Sequence, residues 1–170
     1  MKKLLQLLVA GVALAGLASV AHADSTGKSL DMTFSVRNGT GDDPMIVLWL
    51  ENDTGEFIQT LHVFSKKKEY YKDLLGWLFK SRKTEKAADV DAVSGATIHW
   101  NQSGTITVPA QIGTHDLLDG TCVLRIESRK DKGNHYRTFK IPLAAGYAGG
   151  VHEDEGYVKS VEIKVKNKAE

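Results

Sequence analysis

The strongest constraint on this chain is an alternation of apolar and polar side chains that recurs along most of its length. Leu30, Met32, Phe34 and Val36 alternate with Asp31, Thr33, Ser35 and Arg37, the period of a strand with one buried face. The same period returns over residues 121–127, through Phe139, Ile141 and Leu143, and through Val161, Ile163 and Val165. Ile46-Val47-Leu48-Trp49-Leu50 departs from it by being apolar throughout, which suits a central strand covered on both sides. Asn52-Asp53-Thr54-Gly55 is turn chemistry, and residues 57–64 return as the second arm of a hairpin. Thr105-Ile106-Thr107-Val108 reads as a short strand closed by Pro109, and residues 146–156 read as a Gly-rich loop. Short strands separated by turn signals predict a mainly β chain, an antiparallel immunoglobulin-like β-sandwich.

One segment breaks the pattern. Tyr70, Leu74, Trp77 and Leu78 fall at helical spacing, with Tyr71 and Leu75 widening the stripe. They predict one inserted α-helix of about four turns over residues 67–82, interrupted only by Gly76. Such a stripe packs a helix on a sheet, or lines a ligand groove. The charged residues 81–90 read as an exposed loop.

The compartment is written at the N-terminus. Met1-Lys2-Lys3, the apolar run from Leu4 to Val20 and Ala21-His22-Ala23 have the layout of a secretory signal peptide cleaved after Ala23. The predicted organisation is therefore a leader over 1–23 and a single domain over 24–170, in the periplasm. Cleavage would remove two lysines and no acids, leaving 20 basic and 21 acidic residues, so no basic field is available for nucleic acid. Cys122 is the one cysteine and alternates with Leu124 and Ile126. It reads as a small buried hydrophobe in a core with no internal disulfide.

No strand pattern requires Asp91-Ala92-Val93-Ser94-Gly95-Ala96-Thr97. As local structure it is a good turn: Ser94 suits a bond to the backbone two residues on, and Gly95 suits positive φ. Other constellations are weaker. His152-Glu153-Asp154-Glu155 are consecutive, and consecutive side chains rarely converge on one ion, so no metal site is expected. Ser94 and His99 lack the Gly-x-Ser-x-Gly elbow of a hydrolase. Asp42-Asp43 and Asp89/Asp91 sit in turn-like sequence where Asp is expected. No catalytic residue is assigned, and the chain reads as something other than a stand-alone enzyme.

The hairpin and the later Asp119-Gly120-Thr121-Cys122-Val123-Leu124-Arg125-Ile126-Glu127 resemble the immunoglobulin-like module of flagellar hook-capping proteins, although Cys122 stands where that pattern carries an aromatic. Taken with the central Ser-Gly-Ala-Thr and the leader, the order of elements over residues 29–166 resembles a family of predicted periplasmic proteins with an FlgD-like module, associated with PepSY-type membrane proteins. Asp91 to Thr97 is also similar to the acceptor motif of ApbE-type flavin transferases, Asp-x-x-Ser/Thr-Gly-Ala-Thr, in which the last threonine takes FMN through a phosphoester. That likeness implies covalent FMN on Thr97, with Gly95 and Ala96 keeping the backbone open and Asp91 and Ser94 shaping the turn. His99 and Trp100 would then be candidates to touch the flavin, and Ile98 stands where flavinylated domains carry hydroxyls or small residues. The partners implied are a flavin transferase and a membrane-bound redox or PepSY-type protein. Two functions follow: a periplasmic electron carrier bearing FMN, or a non-enzymatic binding module in which the motif is a structural turn.

Overall fold

The computed structural model describes residues 27–65 and 67–167, so the expected leader over 1–23 lies outside the described residues. Two sheets form. The first runs β10 (Gly149–Glu153), β11 (Val158–Asn167), β1 (Lys28–Val36), β5 (Ser103–Pro109). The second runs β4 (Ser94–Gly95), β3 (Phe57–Phe64), β2 (Met45–Asn52), β8 (Cys122–Arg129), β9 (His135–Leu143). A small ribbon of β6 (Gln111–Ile112) and β7 (His115–Asp116) lies apart from both. Every pairing is antiparallel except that of β3 with β4.

The alternating residues decide how the sheets meet. Leu30, Met32, Phe34, Val161 and Ile163 from the first sheet share one core with Ile46, Leu48, Leu50, Leu124, Ile126 and Ile141 from the second. Cys122 belongs to that core and is free. Burial pushes its thiol up, away from the thiolate that reactivity requires. The expected antiparallel β-sandwich is present. Within the expected Gly-rich loop, residues 149–153 pair with β11 as a strand.

The apolar run of β2, from Met45 to Leu50, is buried on both faces, as its sequence demands. Ile46, Leu48 and Leu50 face the shared core, while Met45, Val47 and Trp49 face outward into a second cluster with Val63, Leu74, Trp77 and Val90. The insertion supplies the cover. It is three short pieces, in place of the one helix expected over 67–82: a 3₁₀ helix (Lys68–Asp73), α1 (Leu75–Ser81) and α2 (Ala87–Ala92). The break falls at Leu74, whose ψ of 69° leaves the helical region. Its cause is non-local. The carboxylate of Glu127, on β8 and fully buried, accepts hydrogen bonds from the backbone N–H of Gly76 and Trp77 at 3.1 and 2.6 Å, and His135 Nε2 contacts it from β9. Those N–H groups belong to the first turn of α1, where a helix has no internal acceptor to offer. Gly76 is required there, because a Cβ would lie 2.8 Å from Glu127 Oε2.

Two further anchors fix the cover. Trp77 Nε1 donates to Thr60 Oγ1 at 2.7 Å, and Thr60 N and Oγ1 both donate to Glu85. Lys80 donates to Glu51 at 2.6 Å, and Glu51 also accepts from Trp49 Nε1. Residues 81–90 are thus a mixture of loop and helix, with Asp89 Oδ2 accepting from the backbone N–H of Lys86 at the start of α2. Truncating Trp77 removes the largest side chain of the cover and leaves Thr60 without its indole donor. Trp77→Ala is expected to lower unfolding free energy by about 3–5 kcal/mol, measured as a shift of the urea midpoint with little change in slope.

Candidate functional site

The motif begins inside α2 and ends beside the edge of the second sheet. Asp91 and Ala92 close the helix, and Ser94 and Gly95 form the parallel strand β4, opposite Val63 and Phe64 of β3. Ser94 Oγ donates back to the carbonyl of Val90 at 2.8 Å, in place of the forward bond expected of a turn. Tyr71 Oη sits 3.0 Å from both Ser94 Oγ and the carbonyl oxygen of Ser65. Asp91 is paired at 2.7 Å with Lys68 of the 3₁₀ helix. Asp91 and Ser94 therefore tie α2 and the segment leaving it to the 3₁₀ helix.

Gly95 is needed for a reason other than positive φ, since it is absent from the glycines in that region. A Cβ there would lie 2.6 Å from Nε2 of His62 on β3. The imidazole thus packs directly on the motif backbone, edge-on to Phe64 at 4.4 Å. Burial lowers the pKa of His62 from the usual histidine value. Ala96 is exposed and Ile98 is buried in the shared core. Between them Thr97 is half-buried, on a segment outside regular structure.

Thr97 lines an open cleft of about 390 Å3 with Lys67, Tyr70, His99, Asp42 and Asp43 among its walls. Among the described residues its side chain has no hydrogen-bond partner. His99 Nδ1 meets Asp43 Oδ2 at 2.6 Å, and the other oxygen of Asp43 accepts from the backbone N–H of Trp100 at 3.2 Å. Lys67 Nζ is 4.0 Å from Asp42 and 5.5 Å from the centre of the Tyr70 ring. Asp42 and Asp43 thus each face a basic partner rather than one another, and Asp89 and Asp91 likewise diverge, one capping α2 and one pairing with Lys68.

Trp100 lies elsewhere. Its indole fills the space over Gly39, where a Cβ would sit 2.5 Å from the ring, donates to the Gly41 carbonyl at 3.2 Å and meets Tyr157 edge-on at 5.6 Å. It borders a separate shallow cleft with Arg37, Tyr136 and Tyr157. Of the seven sequence candidates, the structure gathers Thr97 and His99 in one cleft, gives Asp91, Ser94 and Gly95 roles in holding the segment, leaves Ala96 exposed and sets Trp100 apart. Lys67 and His62 were not named from sequence, Asp43 was read there as a turn residue, and Tyr70 only as part of the helical stripe.

A model of a family of predicted periplasmic proteins (DUF2271) matches residues 28–160. The chain belongs to that family. The match covers the sandwich from β1 into β11, so the cleft and the insertion both lie within the part shared with DUF2271 proteins. No curated protein and no solved structure matches the chain. Among the described residues, no helix is long and apolar enough to cross a membrane and no group of metal-ligating side chains is present.

The close approach of His62 to Gly95 makes two predictions. Gly95→Ala is expected to destabilise the protein, and His62→Ala in the same background to recover part of the loss, a non-additivity read in a denaturation cycle. The second concerns pH. Folded His62 resists a proton that the unfolded chain accepts near pH 6.5, so the unfolded state binds more protons as pH falls through that value. Stability should therefore decline from pH 7 toward 5, and His62→Gln should flatten the decline. His152, lowered by burial in the same direction, keeps a residual slope.

Proposed function

We propose that this DUF2271 protein is a periplasmic electron carrier in which the Thr97 hydroxyl is esterified to FMN by a flavin transferase. The observation that carries this reading is the state of Thr97: a hydroxyl with no hydrogen-bond partner among the described residues, at the wall of an open cleft, at the end of the Asp91-x-x-Ser94-Gly95-Ala96-Thr97 pattern. Every other polar side chain of the motif is engaged. Asp91 binds Lys68 and Ser94 binds the Val90 carbonyl. The segment is therefore held by its first residues and offers its last.

The cleft fits a tethered flavin nucleotide in three respects. Its volume of about 390 Å3 lies within the range of small-molecule sites. Lys67 supplies a cation for a phosphodiester, and the half-buried Tyr70 ring supplies an apolar wall. Asp42 and Asp131 add negative charge to the same walls. A covalent bond offsets that disadvantage, because a tether replaces free affinity with a high effective concentration. The flavin would supply the one- and two-electron chemistry. The chain's own part is to lose the Thr97 hydroxyl proton as its oxygen bonds to the flavin-side phosphorus of a flavin dinucleotide donor, whose pyrophosphate bond breaks and releases a nucleoside monophosphate that carries the negative charge away, to hold the resulting phosphodiester near Lys67, and to offer His99, oriented by Asp43, as a hydrogen-bonding group at the cleft. A membrane-bound redox protein, of PepSY type or otherwise, is the proposed electron donor.

Intact mass provides the test. Protein isolated from its native host should carry the added mass of one esterified FMN and fluoresce in a denaturing gel, and Thr97→Ala should lose both. Unmodified mass from a host with an active transferase would refute the reading. Lys67→Glu is expected to leave the fold intact and to lower the modified fraction several-fold, since it reverses the cation beside the phosphodiester.

A further inference from the structure

Among the described residues three large hydrophobic side chains are exposed: Leu75, Phe79 and Val151. Two of them share α1. Leu75 and Phe79, 51% and 59% exposed, are four residues apart and so lie on one face of the helix, while Trp77 between them points into the sheet. Two exposed apolar side chains alone would mean little, because folded surfaces commonly carry them singly. What surrounds these is unusual for this chain. Residues 66–86 hold eight Lys or Arg against three Asp or Glu, while the rest of the chain after residue 23 holds 12 against 18. A nearly neutral domain thus concentrates a net charge of +5 in residues 66–86, and of +3 when Asp89 and Asp91 of α2 are included; Lys67, Lys68 and Lys80 are paired with Asp42, Asp91 and Glu51, which leaves Lys72, Arg82, Lys83 and Lys86 as the cations of the α1 side.

The charges are arranged about Phe79. The Arg82 guanidinium lies 4.9 Å and Lys83 Nζ 5.5 Å from the centre of its ring. Lys72 and Lys86, both exposed, add cations on either side in the chain. Of the three acids, Glu85 is turned inward to Thr60, while Asp73 is half-buried and Glu69 exposed.

From these observations we propose that the α1 face is a peripheral docking surface for an anionic lipid bilayer, with Leu75 and Phe79 entering the headgroup layer and Arg82, Lys83, Lys72 and Lys86 facing lipid phosphates. Charge complementarity points to an anionic surface. The two apolar side chains are each more than half exposed, and a bilayer accepts protruding side chains without a shaped counterpart. Binding of this kind is weak and reversible, with each cation near an anionic surface contributing about a fivefold gain in affinity. The proposal does not depend on flavin. It bears on the carrier reading because the 3₁₀ helix that brings Tyr70 to the Thr97 cleft leads directly into α1.

Co-sedimentation with vesicles tests it. The exported protein is mixed with phosphatidylglycerol–phosphatidylethanolamine vesicles or with phosphatidylcholine vesicles, at low and at raised salt. It should sediment with the anionic vesicles, weakly or not at all with the neutral ones, and less as salt rises. The variants Leu75→Ser/Phe79→Ser and Arg82→Glu/Lys83→Glu share the parent's N-terminus, so any leader contributes equally to all three proteins. Each should keep the parent's thermal midpoint, because the changed side chains are exposed, and each should bind anionic vesicles at least tenfold more weakly. An exported protein that ignores anionic vesicles overturns the proposal, including the case in which it binds an acidic protein instead. So does binding equal to the parent's in both variants.

Discussion

The structure depends on one strand having no polar face. β2 sends Ile46, Leu48 and Leu50 into the space between the sheets and Met45, Val47 and Trp49 to the opposite side. A sandwich built of strands alone would leave that second set in water. At ~25 cal/mol per Å2 of apolar surface, and with tryptophan the largest of the group, the uncovered face would forfeit several kcal/mol, a large share of a domain's net stability. The insertion between β3 and β5 exists to cover it. Leu74, Trp77 and Val90 pack on the exposed side, and buried polar groups on the sheet meet its backbone and side chains.

The Thr97 cleft is a by-product of that cover. Chain returning from α2 must rejoin the sandwich, and it does so by adding two residues to the free edge of β3. His62 limits the pairing strand to glycine at position 95, and Ile98 drops into the core just beyond. Thr97 is caught between a residue pinned to the sheet edge and a residue buried beneath it, which fixes the backbone on both sides while its own side chain stays free. The 3₁₀ helix forms part of the opposite wall with Tyr70, and the turn before β2 brings Asp42 and Asp43.

The fold was largely legible because its signals are local. Alternation in β1, β8, β9 and β11 and the continuous apolar run of β2 each report burial on one face or two, and both are properties of single strands. The places where sequence reasoning failed are contacts between residues far apart. Nothing near Leu74 announces a break; the carboxylate that enforces it arrives from Glu127, some 50 positions later. Gly95 looked like a turn residue, yet its requirement comes from His62 across a strand pair. Trp100 follows the motif closely in sequence, but Gly39 and Gly41 on another loop draw its indole to a different face. The neighbours of Thr97 in the cleft come from three other segments, the turn before β2, the start of the insertion and the turn after β8, and could be found only in three dimensions.

Glu127 carries a consequence of its own. A fully enclosed carboxylate that satisfies two helix N–H groups and touches a histidine from the next strand cannot be released in part, since water would have to reach all of its partners at once. The helical cap and the β body are therefore bound to melt together, as one cooperative unit. With its one cysteine free, that coupling keeps the segment bearing Thr97 from fraying loose on its own.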